Sequence, residues 1–390
     1  MSETFFAPCP RGLEQLLADE LTACGASSVA PTHGGVSSEG DWAYAYRVNL
    51  ESRLATRLLW KVGFTRYRSE DDIYRLASAV TWARSFDTIN PIRVNVTSIK
   101  SPLKSLNFTT LRIKDGICDH FHAIKGGRPD VDTVSPDMRI HAFLTEDTCT
   151  LYLDTSGEPL YKRGFKRAKV EASIKENLAA GILKISGWQP GQTLLDPMCG
   201  SGTFLIEAAQ MALDIAPGLG RSFAFEKFRH FDAELWRQIR SAAIQRQRQE
   251  PTLPIFGADI DPQQIRAAEA NLEAAGLAGK VELLVCDVLD LEAPDDSGVL
   301  VSNPPYGVRL STGDELHDWY PKLGDTLKRG FAGWNAYLIT ADLAMAKLIG
   351  LKASKRTPLM NGDLDCRVFE FKLVAGQNRE RQQADQPAEQ

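Results

Sequence analysis

TLLDPMCGSGTFLIEAA (193–209) runs an apolar stretch into Asp196, turns through Gly200 and Gly202, and passes directly into a helix-forming segment. The pattern predicts a strand, a tight turn and a helix whose N-terminus faces a ligand, since glycine permits close backbone approach. Ile206 stands where a dinucleotide fingerprint needs its third glycine, and no Gly-Lys-Ser/Thr follows. Dinucleotide and Walker-type phosphate loops are thereby disfavoured. An acid before the turn suits a ligand with a positive amino group, and S-adenosylmethionine carries both an ammonium and a sulfonium.

Downstream, apolar runs recur between helical stretches: LPIFGAD ends at Asp259 beside Ile260, KVELLVCD ends at Asp287, and GVLVS and WNAYLIT follow. Apolar strands alternating with helices from residue 172 onward predict an α/β domain built on a doubly wound parallel sheet. Three strands finishing in a carboxylate put three acids at the edge where such sheets bind ligands. Asp259 suits ribose hydroxyls, and Ile260 could cover an adenine face. Asp261 before Pro262 reads as an N-cap to a helix over 263–275, and Asp290 as solvated. The interval from Asp196 to Asp259 exceeds the roughly 20 residues of a compact unit, so 214–252 reads as a helical insertion.

The fourth strand leads into Asn303-Pro304-Pro305-Tyr306-Gly307. Two prolines cannot continue a ladder, so the chain leaves the sheet there on the ligand edge. Fixed proline φ angles aim the Asn303 side-chain oxygen and the Pro304 carbonyl at one amino group, and Tyr306 offers a flat surface for a base. An aromatic amine is a poor nucleophile because its lone pair is delocalised; accepting both amine protons favours a pyramidal nitrogen directed at a methyl donor. Positioning and charge balance then supply most of the rate, without a strong base.

The front half reads as smaller α+β units. A helix is predicted over 12–24 with Leu13, Leu16, Leu17 and Leu21 on one face, a strand over Trp42–Leu50, and helices over 51–62 (Leu54, Leu58 and Leu59 inward) and 72–86. A strand at 92–100, a helix near 108–125 carrying Leu111, Ile117, Phe121 and Ile124, and a hairpin at 139–154 follow.

Apolar residues make up 43% of the 390 and charged residues 24%, which places the chain among globular proteins of more than one core. No window approaches the length of a membrane span, no leader pattern opens the chain, and a cytoplasmic location is the expectation. Seven scattered cysteines read as reduced thiols, neither a disulfide framework nor a metal site. The net charge of −5 argues weakly against nucleic acid, yet from Pro91 to Lys175 there are 14 Lys and Arg against 10 Asp and Glu, ending in Lys162, Arg163, Lys166, Arg167 and Lys169. That run reads either as a solvated connector or as a phosphate-contacting face.

From Asp196 to Tyr306 the motif order resembles the class I (Rossmann-like) methyltransferases, in particular the branch using Asn-Pro-Pro-Tyr on amino or amide nitrogen. LYLDTSGEPLYKRGFKRAKVEASIKENLAAGIL (151–183) and GDLDCRVFEFKL (362–373) resemble the junction and C-terminal hairpin of THUMP-domain guanine-N2 RNA methyltransferases, most closely the 23S ribosomal, large-subunit L type. The resemblance implies a ferredoxin-like region (1–60), a THUMP-like RNA-binding domain (61–160) and a class I methyltransferase domain (161–376). Residues 377–390 read as a disordered tail. It implies S-adenosylmethionine as cofactor and RNA as partner. Asp196, Pro197, Gly200 and Gly202 would hold its amino acid end, Asp259 and Ile260 its ribose and adenine face, and Asp287 its adenine amino group. Asn303, also beside the cofactor, Pro304, Pro305 and Tyr306 would hold the target guanine, and Lys162, Arg163, Lys166 and Arg167 would contact RNA. One glycine turn and one Asn-Pro-Pro-Tyr predict a single methyltransferase activity. Transfer RNA, adenine N6 and protein glutamine N5 remain alternative substrates, and a non-enzymatic RNA-binding protein would show damage in these motifs, which are intact.

Overall fold

The computed structural model describes residues 2–165, 174–305 and 313–374, with side chains of the last stretch from 317 onward. Its N-terminal half contains β1 (Glu3–Pro8), α1 (Glu14–Ala23), β2 (Ser28–Thr32), β3 (Gly35–Gly40), α2 (Trp42–Glu51), β4 (Leu59–Arg66) and α3 (Glu70–Ala79). β5 (Ile92–Ser98), α4 (Leu106–Lys125), β6 (Met138–Leu144) and β7 (Thr148–Asp154) complete it. The strands form one sheet in the order β2-β3-β1-β4-β7-β6-β5, antiparallel except for β5 beside β6. β4 spans the division expected at residue 60, so the two front units share one sheet.

The second half runs α5 (Glu176–Ser186), β8 (Leu194–Asp196), α6 (Thr203–Ala212), α7 (Ala233–Gln245), β9 (Ile255–Asp259), α8 (Pro262–Ala274), β10 (Glu282–Val285) and β11 (Val299–Ser302). Then follow α9 (Gly313–Gly330), β12 (Asn335–Thr340), α10 (Met345–Leu348), β13 (Lys355–Asn361) and β14 (Leu364–Lys372). Strand order is β10-β9-β8-β11-β12-β14-β13, parallel from β10 to β12, with β14 antiparallel to both its neighbours. The chain builds outward from β8 to β10 and resumes on β8's other side at β11. The strand order therefore reverses between β8 and β11, and a ligand crevice opens at the carboxyl ends there. One apolar core continues from the front module through α5 and α6; a second, around Leu300, Tyr320, Phe331, Trp334 and Phe369, lies under α9.

Several local expectations are corrected. Residues 42–50 form helix α2 rather than a strand, capped by the Asp41 carboxylate, which accepts from Tyr44 N at 2.7 Å. Tyr44, Ala45, Tyr46, Val48, Asn49 and Leu50 are all buried, so α2 is covered nearly all round and shows no polar stripe by which to recognise it. The helix expected over 51–62 is a loop entering β4; Leu54, Leu58 and Leu59 are indeed buried, but Glu20 holds the loop by accepting from Ser52 Oγ and the amides of Arg53 and Leu54. α3 ends at Ala79, and a single 3-10 turn at 82–84 replaces the rest of the predicted helix. On α4, Ile117 and Phe121 face inward with Ile113, whereas Leu111 and Ile124 are more than half exposed.

The insertion at 214–252 is helical over α7, as expected, and its packing explains it. Phe225 stacks on Tyr46 of α2 with centroids 4.5 Å apart, Trp236 meets Phe225 edge-on at 5.1 Å, and His230 lies 4.3 Å from Trp42. Arg246 pairs with Glu51 at the end of α2 and with Asp214. The insertion thus fastens the front module to the parallel-sheet domain, with aromatic pairs adding to the buried area.

Candidate active site at the carboxyl edge of the parallel sheet

Asp196 closes β8 and is 1% exposed. Its Oδ1 accepts from Ser302 Oγ at 2.7 Å and from Met198 N at 3.3 Å. Burial pushes its carboxyl up to about 7, against these two hydrogen bonds, and Asp259 adds to the rise. Since Ser302 immediately precedes Asn303, this one hydrogen bond ties the glycine turn to the Asn-Pro-Pro turn across the switch point.

Gly200 and Gly202 sit at φ +52° and +80°, the left-handed region that an L side chain rarely adopts. Asp259 at the end of β9 braces the turn: its Oδ2 accepts from Gly200 N at 2.9 Å and its Oδ1 from Asp261 N at 3.0 Å. Each carboxylate oxygen retains a further lone pair for a ligand hydroxyl. Beyond it, the Ile260 side chain is 65% exposed and open to a flat ligand. Pro197 is buried at the start of the turn. β10 stops at Val285, two residues short of the strand end expected at Asp287, whose Oδ1 accepts from Leu289 N at 3.0 Å. Asp261 caps α8 as expected, accepting from Gln263 N at 2.8 Å.

At the end of β11 the Asn303 Oδ1 is buried and has no hydrogen-bond partner among the described residues. Buried acceptors are normally paired, so an orphan beside a crevice marks the place of an absent donor. Pro304 is buried and Pro305 partly so; Tyr306 lies outside the described residues. The residues thus fit S-adenosylmethionine: acids for its amino and hydroxyl groups, a glycine turn for close approach, an exposed apolar plate, and an acceptor for the nucleophile's protons.

The basic run requires a correction. Arg163 is 6% exposed, and its guanidinium donates to Glu207 Oε1 (3.1 Å), Leu160 O (2.6 Å) and Arg53 O (2.8 Å). It is a structural cation with no donor turned to solvent, not a phosphate contact. Lys162 is exposed and bridges Glu158 at 2.8 Å. Lys166, Arg167 and Lys169 lie outside the described residues. Sequence reasoning also missed three side chains that brace the site: Ser302, Asn271, whose Nδ2 donates to Ser201 O at 3.1 Å, and Glu207. A lone acid in the otherwise apolar TFLIEAA was the signal for Glu207.

Comparison with known proteins agrees with this architecture. Residues 163–370 match the family described as the RMKL-like methyltransferase domain, 67–154 the THUMP domain, and 4–59 the RlmL ferredoxin-like domain. A putative RNA methyltransferase of Synechocystis sp. is 38% identical over 370 residues, covering 95% of this chain and 96% of that protein. The ribosomal RNA large subunit methyltransferase K/L of Syntrophotalea carbinolica is 40% identical over 383 residues, 95% of this chain; the chain spans 53% of its length. Among solved structures, SMU.472, a putative methyltransferase complexed with SAH, superposes with TM-score 0.87 at 30% identity over 96% of this chain and 99% of that one. A Listeria monocytogenes protein described as a predicted N6-adenine-specific DNA methylase superposes with TM-score 0.86 at 29% identity over 95% of this chain and 96% of that one. No helix among the described residues is long and apolar enough to cross a membrane. With the switch-point crevice, the THUMP module and the Synechocystis relative matched over 96% of its length, the chain belongs to the RMKL-like family of S-adenosylmethionine-dependent RNA methyltransferases.

Proposed function

We propose that the chain methylates the N2 amino group of a guanine in 23S ribosomal RNA. The observation that carries this reading is the buried, unpartnered Asn303 Oδ1, one residue from the Ser302–Asp196 hydrogen bond that closes the cofactor turn. Bound S-adenosylmethionine supplies the electrophilic methyl group. Asn303 Oδ1 and the Pro304 carbonyl accept hydrogen bonds from the two amine N–H groups and orient the nitrogen lone pair, with Tyr306 stacking on the base; the one proton released is lost to water during or after transfer. Asp196 receives the cofactor's ammonium, Asp259 its ribose, Ile260 its adenine face and Asp287 its adenine amino group. Closing the site against water strengthens each of these contacts.

The RNA substrate must present an unpaired or extruded base, because N2 of a paired guanine is hidden in the minor groove; extrusion costs a few kcal/mol, offset by phosphate contacts elsewhere. The ribosomal substrate is supported by the K/L relatives and would place the chain in the cytoplasm. A second reading, adenine N6, is favoured by the Listeria neighbour's description and uses the same two acceptors. The deciding experiment incubates the protein with labelled S-adenosylmethionine and, separately, unmodified 23S rRNA, tRNA and protein extract. N2-methylguanosine from 23S rRNA is the expected product; label in N6-methyladenosine, in tRNA or in glutamine replaces the substrate.

A further inference from the structure

A cavity of about 530 Å³ is lined by the loop after β1, the β2–β3 turn at Gly34, the loop before β4 at Thr56, Tyr161, the start of α5, and the β13–β14 turn. Topology puts it on the ligand edge. The last residue of β12, Thr340, pairs with Arg367, so the turn at 362–363 projects past the carboxyl end of β12. α5 packs on α6 and β11 and leads into β8, so its first turn, with Lys175 and Asn177, stands at that same edge.

The lining carries two cations, Arg11 and Lys175, one carboxylate, Asp363, and the amide of Asn177. Arg11 and Lys175 are exposed, and neither pairs with a carboxylate among the described residues; Lys175 Nζ stands 5.2 Å over the Tyr161 ring. Asn177 is 1% exposed. Its Nδ2 donates to Leu54 O at 3.3 Å and Thr56 Oγ1 at 3.4 Å, and since a carbonyl can only accept, this fixes which end is the amide nitrogen. Asn177 Oδ1 is therefore a buried acceptor, and it has no donor among the described residues. None of Asp196, Gly200, Gly202, Asp259 or Asp287 lines this cavity, whereas the ferredoxin-like region supplies one wall through Cys9, Pro10, Arg11, Gly34 and Thr56.

We propose that the cavity holds a nucleotide flanking the methylated base, with Arg11 and Lys175 on its phosphodiester and Asn177 Oδ1 accepting from its ribose 2′-hydroxyl. The proposal rests on the chain's RNA methyltransferase activity and adds where the strand is gripped. An extruded base needs its neighbouring backbone held, and a backbone-and-ribose grip provides this without reading sequence.

The test uses the full chain carrying Arg11→Gln and Lys175→Gln, both exposed positions that leave the core intact. Methyl transfer to unmethylated 23S rRNA is followed across 50 to 200 mM salt, alongside S-adenosylhomocysteine affinity. Loss of two phosphate contacts should raise KM for RNA about tenfold or more and reduce the slope of log affinity against log salt by roughly 1.5, with S-adenosylhomocysteine affinity within twofold. With wild-type protein, 2′-deoxy substitution beside the methylated base should raise KM as well. An unchanged KM and salt slope overturn the proposal, and so does a parallel loss of S-adenosylhomocysteine affinity, which would assign the cavity to the cofactor. If wild-type protein labels no RNA at all, the activity itself is wrong; if it is active and the variant matches it, only the cavity assignment fails.

Discussion

Removing the negative charge of Glu207 should be among the most damaging single substitutions in this chain. Glu207 lies on α6, the helix that follows the glycine turn, and its side chain is fully buried. Its Oε2 accepts from Arg53 of the front module at 3.2 Å and its Oε1 from Arg163 of the connector at 3.1 Å. Both arginines are almost fully buried, and burial pulls the Arg53 guanidinium's pKa down, with the attraction of Glu207 opposing this. Glu207→Gln takes from two buried guanidinium groups the one carboxylate they both hydrogen-bond, leaving Arg53 only the weaker attraction of Glu20. Breaking one buried pair by removing a partner costs about 3–5 kcal/mol, and here two cations lose the same partner. At roughly 2 °C per kcal/mol for a chain above 150 residues, the midpoint should fall by about 6–10 °C. Differential scanning calorimetry of the full chain reads this directly. Replacing all three residues by apolar side chains, Arg53→Met, Arg163→Met and Glu207→Leu, should recover much of the loss, because the whole triad's desolvation penalty disappears with it. A fall below 2 °C for Glu207→Gln would refute the argument that this anion is what makes the two arginines tolerable.

Asn303→Ala should abolish methyl transfer while leaving S-adenosylhomocysteine affinity within a few-fold; measurable turnover near wild type would remove Asn303 from the mechanism. Asp196 gives a pH signature. Burial holds its carboxyl up to about 7, so its contribution to folding is greatest below the usual carboxylate range and is lost as pH rises toward 7. The proposed pairing of Asp196 with the cofactor's ammonium needs the ionised form, so S-adenosylhomocysteine should bind more tightly as pH rises from 5.5 to 7.5, by up to about tenfold per unit below 7. Titration calorimetry on Asp196→Asn should show that dependence flattened, and an equally steep profile there would assign it to another group. Phe225→Ala, at a fully buried ring between α2 and α7, should cost about 3–5 kcal/mol and expose the 214–252 insertion to limited proteolysis. Protease resistance equal to wild type would mean that the insertion is not held by this contact.

The parallel-sheet domain, and the residues gathered at its carboxyl edge, were legible because their signals are local. Each strand of TLLD, IFGAD and VLVS is buried on both faces and reads as a continuous apolar run. Each proposed site residue sits where its run stops or one or two positions beyond, since ligands bind where strands end. Gly200, Gly202 and the Asn-Pro-Pro turn are demands of backbone conformation, which residue type alone announces. Periodicity failed where burial was settled from outside the segment. α2 is walled by the front sheet and by the distant insertion, so it lacks a polar face, and the loop before β4 carries buried leucines that mimic a helix stripe. Charge was read least well. Arg163 belongs to a cationic run in sequence, yet an acid 44 residues on takes it into the core, while Arg11 and Lys175, 164 positions apart, share one cavity. Sequence fixes backbone chemistry and the apolar pattern along each segment. Which cations face phosphate and which face a buried carboxylate is decided only when distant segments meet, because electrostatic partnership depends on distance in space and on the dielectric there.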